Sequence, residues 1–319
     1  MWFNLFLILI GLATLIIGGE LLVKGAVGVA TKARLSTLVI GMTIVSFGTS
    51  APELLVSLKA AMLEVPEIAI GNVIGSNIAN IALVLGLTVV IFPMPVGRNS
   101  IRYDWPMMMI AGILFYVFGY DLIIERWEGL ILFIILILFI TFLITNSRKQ
   151  NKSKIEHIAG DIEEVKKKSS SNKDLLKNFA LFVLGLIGLY FGARWLVSGA
   201  SDLGKAAGLS NHVIGITVVA FGTSVPELVT SVVAAYRKEM DISVGNLIGS
   251  NIFNVLAVIG ITAIVHPIPV EGYVISSDLL WMLSLFLILF PMMFINKKIS
   301  RFSGIVLLLI YVVYIYQLF

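Results

Sequence analysis

The sequence predicts an all-α integral membrane protein of ten transmembrane helices, arranged as two inverted five-helix repeats in which helices 2 and 7 are broken. Three observations support this prediction. The 319-residue chain is 58% hydrophobic and 13% charged, with a mean hydropathy of +0.99, whereas soluble domains contain about 25% charged residues. Apolar segments of membrane-spanning length recur along the whole chain, and a polar motif inside them occurs twice. The lack of cysteine excludes disulfides and thiol chemistry.

Ten segments satisfy the requirement of about 20 mostly apolar residues for one span. They are predicted at 2–27, 36–62, 67–92, 104–121, 128–146, 175–200, 210–236, 241–266, 274–295 and 302–318. No basic residues precede the first segment, which is too long for the apolar part of a signal peptide, so we expect a retained helix. A polar stretch at 147–174, rich in Lys, Glu and Ser, is expected to be a loop. The predicted units are therefore a first repeat at 1–146, this loop, and a second, inverted repeat at 175–319.

The distribution of basic residues predicts the orientation of these segments. When the loop is placed in the cytoplasm, all but four of the 23 Lys and Arg residues lie on the cytoplasmic side. The four exceptions are Lys59, Arg126, Arg194 and Lys205. Because cytoplasmic loops carry an excess of Lys and Arg, we expect a multi-pass protein of the cell (plasma) membrane with both termini outside and loop 147–174 inside.

The duplicated motif lies within the predicted helices 2 and 7. Gly-Thr-Ser-Ala-Pro-Glu at 48–53 returns as Gly-Thr-Ser-Val-Pro-Glu at 222–227, and the block at 71–80 returns at 245–254 with the same offset. Aligning 39–87 with 213–261, which contain the motif regions 41–87 and 215–261, gives 26 identical residues in 49 positions. Five helices, an odd number, separate the two copies, so the second must enter the membrane upside down. We therefore expect Glu53 and Glu227 to meet near the membrane midplane, at the interface of the repeats.

The motif combines a helix break with a buried acid. Pro52 has no N–H to donate to the carbonyl of Gly48, so the helix should break just before Glu53, and the same holds for Pro226 and Glu227 in the second copy. Carbonyls at 46–49 and 220–223 are then expected to be freed toward a cavity. A carboxylate inside a membrane is costly and usually functional, and these two have no basic residue nearby in the sequence.

The candidate ligands are carboxylate, hydroxyl, amide and backbone carbonyl oxygens, with no Cys or His in either motif. Hard oxygen donors favour Ca²⁺ or Na⁺ over softer metals. In the second block, the spacing of Ser76 and Asn80, and of Ser250 and Asn254, predicts that each pair lies on one helix face. Two carboxylates are neutralised by one Ca²⁺ or by two Na⁺, as an antiporter of these ions requires.

With these paired blocks over its whole length, the chain resembles the calcium/cation antiporter superfamily, and within it the prokaryotic sodium/calcium exchangers. The resemblance implies a monomeric transporter, not an enzyme, without a cofactor, whose partners are Ca²⁺, Na⁺ and the lipid bilayer. It implies the exchange of about three Na⁺ for one Ca²⁺ by alternating access. Helices 1 and 6 would slide across the rest.

The resemblance also implies a ligand set. Ca²⁺ would be held by Glu53, Glu227 and the carbonyls of Thr49 and Thr223. Na⁺ would use the same glutamates with further oxygens, while Asn80 and Asn254 line the centre. Those oxygens are Ser50, Ser250 and the Ser46 carbonyl on the inner side, and Ser224, Ser76 and the Ala220 carbonyl on the outer side.

Two motif positions bear on the coupling ion. Potassium-dependent relatives carry an acid at the position of Asn254, so the amide here implies independence of K⁺. Proton-coupled relatives tend to have Asn in place of the Thr-Ser pair before the glutamate, so the two Thr-Ser pairs favour Na⁺.

Three alternatives remain open from the sequence. A Ca²⁺/H⁺ antiporter would use the same glutamates as proton carriers, since burial favours a protonated carboxyl group. A passive cation channel is disfavoured, but not excluded, by inverted broken helices. An intramembrane hydrolase with an acid dyad suits the Thr-, Ser- and Asn-rich surroundings least. Outside the motifs, Glu20 and Arg194 occupy equivalent positions and are candidates either for an ion pair or for side chains that reach the helix ends.

Overall fold

In the computed structural model, residues 2–63, 66–159, 172–207 and 220–317 are described, and they are almost entirely helical. In chain order the α-helices are α1 Trp2–Ala33, α2 Thr37–Ile40, α3 Ser46–Thr49, α4 Ala51–Met62, α5 Pro66–Ile78, α6 Gly86–Ile91, α7 Trp105–Gly119, α8 Arg126–Ala159, α9 Asn172–Ala206, α10 Ala220–Thr223, α11 Val225–Tyr236, α12 Met240–Phe253, α13 Gly260–Val265, α14 Leu279–Phe294 and α15 Arg301–Gln317. Five π-helical segments continue or precede them: π1 Gly41–Val45, π2 Ala79–Leu85, π3 Ser100–Asp104, π4 Asn254–Ile259 and π5 Val274–Asp278. A 3₁₀ turn covers Ile295–Lys297.

Six helices within the described residues are long and apolar enough to cross a membrane, and the bent pair Thr37–Thr49 and Ala51–Met62 makes a seventh. Two more apolar helices, Val225–Tyr236 and Arg301–Gln317, fall short of a full span. The first part of the predicted span 210–236 lies outside the described residues up to position 219. The structure thus establishes an all-helical membrane protein, while the count of ten spans stays a prediction.

The flanking helices extend into the predicted loop 147–174 at both ends. Helix α8 continues to Ala159 and α9 begins at Asn172, so the flanking helices extend into the polar stretch. Residues 160–171 lie outside the description. Lys, Gln and Glu are good helix formers, so a segment that is too polar for the membrane still extends a helix beyond it.

Four two-residue strands qualify the prediction of an all-α fold. Met94–Pro95 (β1) pairs with Lys298–Ile299 (β4), and Ile123–Ile124 (β2) pairs with Ile268–Pro269 (β3), both antiparallel. Both Pro95 and Pro269 follow a second proline two residues earlier, and a residue before proline is restricted to extended conformations. The pairings are reciprocal, because β3 follows β1 at the offset of the duplicated motif and β4 follows β2 at nearly the same offset.

Helices α1 and α9 form the longest pairing in the fold. The close approaches join Gly11 to Leu196 and Gly18 to Leu189, so the two helices are antiparallel. A Cβ atom on Gly18 would lie 2.8 Å from the backbone nitrogen of Leu189. Only glycine permits helix backbones to approach this closely.

The other helices are arranged around two central ones. Residues 68–91 and 240–265 bury 72% and 83% of their most apolar windows inside the protein, against 28–39% for the other candidate spans. The outer helices present large apolar side chains to their surroundings, for example Leu9, Leu138 and Leu184. The two central segments carry the second block of the duplicated motif, so this block lies in the protein interior.

Candidate cation-binding site

The two predicted helix breaks are present. Ser50, at φ −86° and ψ 3°, separates α3 from α4 with a bend of 43°, and Ser224, at φ −90° and ψ 1°, separates α10 from α11. In both copies a proline occupies the first turn after the break, where its missing N–H is tolerated. Each glutamate therefore lies in the first turn of a helix.

The prediction of a freed carbonyl needs correction at Ser46. Its carbonyl accepts a hydrogen bond from the backbone N–H of Ser50 at 2.9 Å and lies 3.3 Å from the hydroxyl oxygen of Thr49. The α-helical ladder thus spans the break at this residue, and it is interrupted at Gly48, whose partner would have been the nitrogen of Pro52. Ala220 begins α10, so its carbonyl lies at the equivalent place of the second copy.

Glu53 and Glu227 are both fully buried, with 0% of their surface exposed. Neither carboxylate has a hydrogen-bond partner within the described part of the protein. The two are close enough to repel each other electrostatically, which agrees with the expectation that they meet. A pair of buried like charges without protein partners is stable only when cations or protons neutralise it.

Hydroxyl groups surround these carboxylates. Ser76 faces Glu53, while Thr49 and Ser50 face Glu227 from the other half of the chain. The hydroxyl of Thr49 lies 3.4 Å from that of Ser250. Ser224 is also fully buried, and its hydroxyl and that of Ser50 have no partner within the described residues. Thr223 is half-buried.

The two predicted central asparagines are fully buried. The side-chain amide of Asn254 donates to the amide oxygen of Asn77 at 3.2 Å, whereas neither polar atom of the Asn80 side chain has a partner among the described residues. The predicted helical spacing holds from Ser250 to Asn254, whose backbone N–H donates to the carbonyl of Ser250, while π2 begins at Ala79 and π4 at Asn254. A π-helical turn is wider than an α-helical one and is frequent at functional sites.

Sequence reasoning assigned no role to four polar residues that hold the glutamate helices. Asn72 donates from its amide to the carbonyl of Glu53 at 3.1 Å and to the hydroxyl of Ser57 at 3.0 Å. Asn246 does the same toward Glu227 at 3.5 Å and Ser231 at 3.2 Å. The asparagine and the serine of the first half recur in the second half at the same offset as the two glutamates. This recurrence is the sequence signal that could have identified the four residues.

The side chain of Ser46 packs the two halves together. Its hydroxyl donates to the carbonyl of Gly41 at 2.7 Å and lies 3.1 Å and 3.3 Å from the carbonyls of Asn246 and Gly245. A Cβ atom on Gly249 would lie 2.8 Å from the Cα of Met42. Helix α12 is therefore in direct backbone contact with π1 and α3, as expected for small residues spaced by four.

Of the two alternatives for Glu20 and Arg194, the ion pair between them is not the one that Glu20 forms. Glu20 instead forms an ion pair with Arg237, and Arg194 is exposed on α9. The reason is geometric: α1 packs against α11, whose last turn brings Arg237 to Glu20.

The site is thus poor in charge and rich in neutral oxygen. In the described ranges no group of three or more His, Cys, Asp or Glu side chains is found, so a bound cation has to draw most of its ligands from hydroxyls, amides and carbonyls. Such a set suits Na⁺ and Ca²⁺, which accept mixed oxygen ligands in flexible geometry.

Comparison with known proteins points the same way. Residues 3–145 and 177–319 match the family described as "Sodium/calcium exchanger protein". "Sodium/calcium exchanger MaX1" of Methanosarcina acetivorans is 31% identical over 344 residues, covering 99% of this chain and 98% of that protein. "Inner membrane protein YrbG" of Escherichia coli is 32% identical over 272 residues, covering 85% and 83%. A solved structure of the sodium-calcium exchanger NCX_Mj, soaked with 10 mM Na⁺ and zero Ca²⁺, matches with a TM-score of 0.84 at 32% identity over 99% of both chains.

Proposed function

Since the chain belongs to the sodium/calcium exchanger protein family, we propose that it is a secondary antiporter that exchanges Na⁺ for Ca²⁺ across the membrane. The observation that supports this most directly is the pair of fully buried, mutually close carboxylates of Glu53 and Glu227. One Ca²⁺, or two Na⁺, neutralises them. Either load therefore removes the same electrostatic cost, and the two ions compete for one site.

We propose the following ligands. Glu53, Glu227 and the carbonyls of Thr49 and Thr223 hold Ca²⁺, and Na⁺ shares the glutamates. The additional oxygens for Na⁺ are those of Ser50, Ser250 and the Ser46 carbonyl on one side, and of Ser224, Ser76 and the Ala220 carbonyl on the other. Asn80 and Asn254 line the centre. Support comes from the complete burial of the two asparagines and from side-chain oxygens at Ser50, Ser224 and Asn80 that have no partner among the described residues.

The proposed architecture is a ten-helix bundle of two inverted repeats. Three structural features support it: the opposite chain directions of α1 and α9, the reciprocal pairing of the short strands, and the repeated contacts of Asn72 and Asn246. In this arrangement the pair α1–α9 slides across the remaining helices and alternates access to the site. The protein acts as a monomer in the cell membrane, with both termini outside and residues 147–174 on the cytoplasmic side.

The proposed coupling is about three Na⁺ per Ca²⁺, so each cycle moves net charge. Asn254 supplies an amide where a third acid would otherwise add charge, and we propose that K⁺ is not required. The hydroxyls of Thr49 and Ser50 facing Glu227 support Na⁺ as the coupling ion rather than H⁺.

The test is radioactive Ca²⁺ uptake into proteoliposomes loaded with Na⁺ and diluted into Na⁺-free buffer, with pH and K⁺ equal on both sides. We expect uptake that disappears when Na⁺ is equal across the membrane. Uptake that persists without a Na⁺ gradient would indicate a channel. Uptake driven only by an imposed pH gradient would replace Na⁺ by H⁺ as the coupling ion.

A further inference from the structure

One side chain touches both halves of the cation site. We propose that Asn246, on α12, is a positioning residue: its amide group holds the Thr49 side of one break and the Glu227 side of the other in a fixed relation. This inference rests on the proposed function, because it concerns the site at which the transported cations bind.

The contacts of Asn246 join α12 to two other helices, α11 and α3. Its amide nitrogen donates to the carbonyl of Glu227 at 3.5 Å and to the hydroxyl of Ser231 at 3.2 Å, both on α11. Its amide oxygen accepts the hydroxyl hydrogen of Thr49 at 3.1 Å, at the end of α3. Its backbone carbonyl lies 3.1 Å from the hydroxyl of Ser46. The side chain is fully buried, so water does not replace these bonds.

The residue type matches the task. Of the polar side chains of this length, only an amide offers two donor hydrogens and an acceptor oxygen at once. Aspartate lacks the donors, and serine is too short to reach both neighbouring helices. Thr49 directly precedes the break at Ser50, and Glu227 lies in the first turn after the break at Ser224, where proline removes one backbone donor from the helical hydrogen-bond ladder. Asn246 supplies the missing constraint from a neighbouring helix.

The first half repeats the two donor bonds of this arrangement. Asn72 donates to the carbonyl of Glu53 and to Ser57. The recurrence of the full amide–carbonyl–hydroxyl arrangement at both glutamates argues that it serves the site they share rather than local packing. Ser243 provides the contrast, because its hydroxyl also joins α12 to α11, through the carbonyl of Ser231 at 2.9 Å. Among the described residues this hydroxyl bonds to none of the proposed ligands, and the first half has Ala69 at that position.

The experiment compares wild type, Asn246→Ala, Asn72→Ala and Ser243→Ala in proteoliposomes. Initial rates of Na⁺-driven Ca²⁺ uptake are measured against Ca²⁺ and against Na⁺ concentration. We expect Asn246→Ala to raise the half-saturating concentrations of both ions, that of Ca²⁺ by about tenfold, since a buried hydrogen-bond network is lost. Asn72→Ala should act in the same direction, and Ser243→Ala should leave both concentrations within twofold of wild type.

The half-saturating concentrations distinguish a loss of positioning in the site from a loss of folded protein. A misfolded fraction lowers the maximal rate but leaves the half-saturating concentrations of the remaining molecules unchanged. If Asn246→Ala does not yield monodisperse protein, Asn246→Ser retains a polar group at the position and takes its place. Half-saturating concentrations within twofold of wild type, with or without a lower maximal rate, would overturn the positioning role. Absence of Na⁺-driven uptake in wild type would instead refute the proposed exchange itself.

Discussion

Arg237, the residue that follows α11, donates a hydrogen bond from Nε to the Oε1 atom of Glu20 on α1 at 3.1 Å, and a second from Nη2 to Oε2. The hydrogen bond to Glu20 raises the pKa of the guanidinium further, so Arg237 is charged at every pH suited to an assay. With 56% and 31% of the two side chains exposed, solvent screens the pair and it adds little to stability. The ion pair is important for its position, since it connects the α1–α9 pair to α11, the helix that carries Glu227.

This contact has to change if α1 slides during transport. Because the chain has no cysteine, Glu20→Cys with Arg237→Cys introduces the only two thiols, which a short bifunctional thiol reagent can join. We expect cross-linking to stop Ca²⁺ uptake and each single-cysteine variant to keep most of it after the same treatment. Full uptake by the cross-linked protein would show that α1 does not move relative to α11.

Replacing either buried glutamate by glutamine is expected to raise the unfolding temperature and to abolish Ca²⁺ uptake. Glu53→Gln or Glu227→Gln removes a buried negative charge, so each variant should unfold at a higher temperature than wild type in buffer free of Na⁺ and Ca²⁺. The same variants should lose Ca²⁺ uptake and the stabilisation that added Ca²⁺ gives to wild type. Thermal unfolding of the detergent-solubilised protein, with and without Ca²⁺, measures both effects.

Asp121→Asn is the matched control for charge removal, because this carboxylate is exposed in the turn after α7. It should change neither unfolding temperature nor uptake. Robust Na⁺-driven uptake by either glutamine variant would exclude the proposed ligand set.

The glycine contact between α1 and α9 predicts a large effect from one methyl group. A Cβ atom at Gly18 would meet the backbone of Leu189 at 2.8 Å and the carbonyl of Gly185 at 3.0 Å. Backbone atoms cannot move aside as a side chain does, so Gly18→Ala should separate the helices and destabilise the protein by roughly 1–3 kcal/mol. Gly119→Ala, at the end of α7, is the control, since its nearest neighbours are side-chain atoms of Val270 at 3.8 Å. Equal unfolding temperatures for the two variants would contradict a close backbone contact.

The sequence predicted the parts of the site that depend on chemistry and spacing along the chain. A proline four residues after a glycine predicts a break, and the breaks fall at Ser50 and Ser224. Duplication predicts that Glu53 and Glu227 are equivalent, and burial of both follows from their apolar surroundings. These conclusions need no knowledge of which helices touch.

What the sequence did not predict depends on contacts between distant segments. The partner of Glu20 is decided by how α1 packs on α11, and sequence equivalence with Arg194 carries no information on that. The role of Asn246 depends on the approach of α12 to α3, and the π-helical segment that begins at Asn254 is not indicated by residue spacing. The extension of α8 to Ala159 reflects helix propensity that hydropathy does not register.

The proposed stoichiometry predicts a dependence on membrane voltage. When about three Na⁺ leave a vesicle for each Ca²⁺ that enters, one net positive charge moves outward, and a potential of 100 mV contributes about 2.3 kcal/mol to that step. An inside-positive potential should therefore accelerate Ca²⁺ uptake into Na⁺-loaded vesicles, and an inside-negative one should slow it. Valinomycin with high external or high internal K⁺ imposes the two potentials.

The same K⁺ gradients without valinomycin form the control, and there we expect no effect, since K⁺ is not a substrate. Equal rates at both potentials would indicate an electroneutral exchange of two Na⁺ for one Ca²⁺, whereas an effect of K⁺ without the ionophore would show that Asn254 does not exclude K⁺ from the cycle.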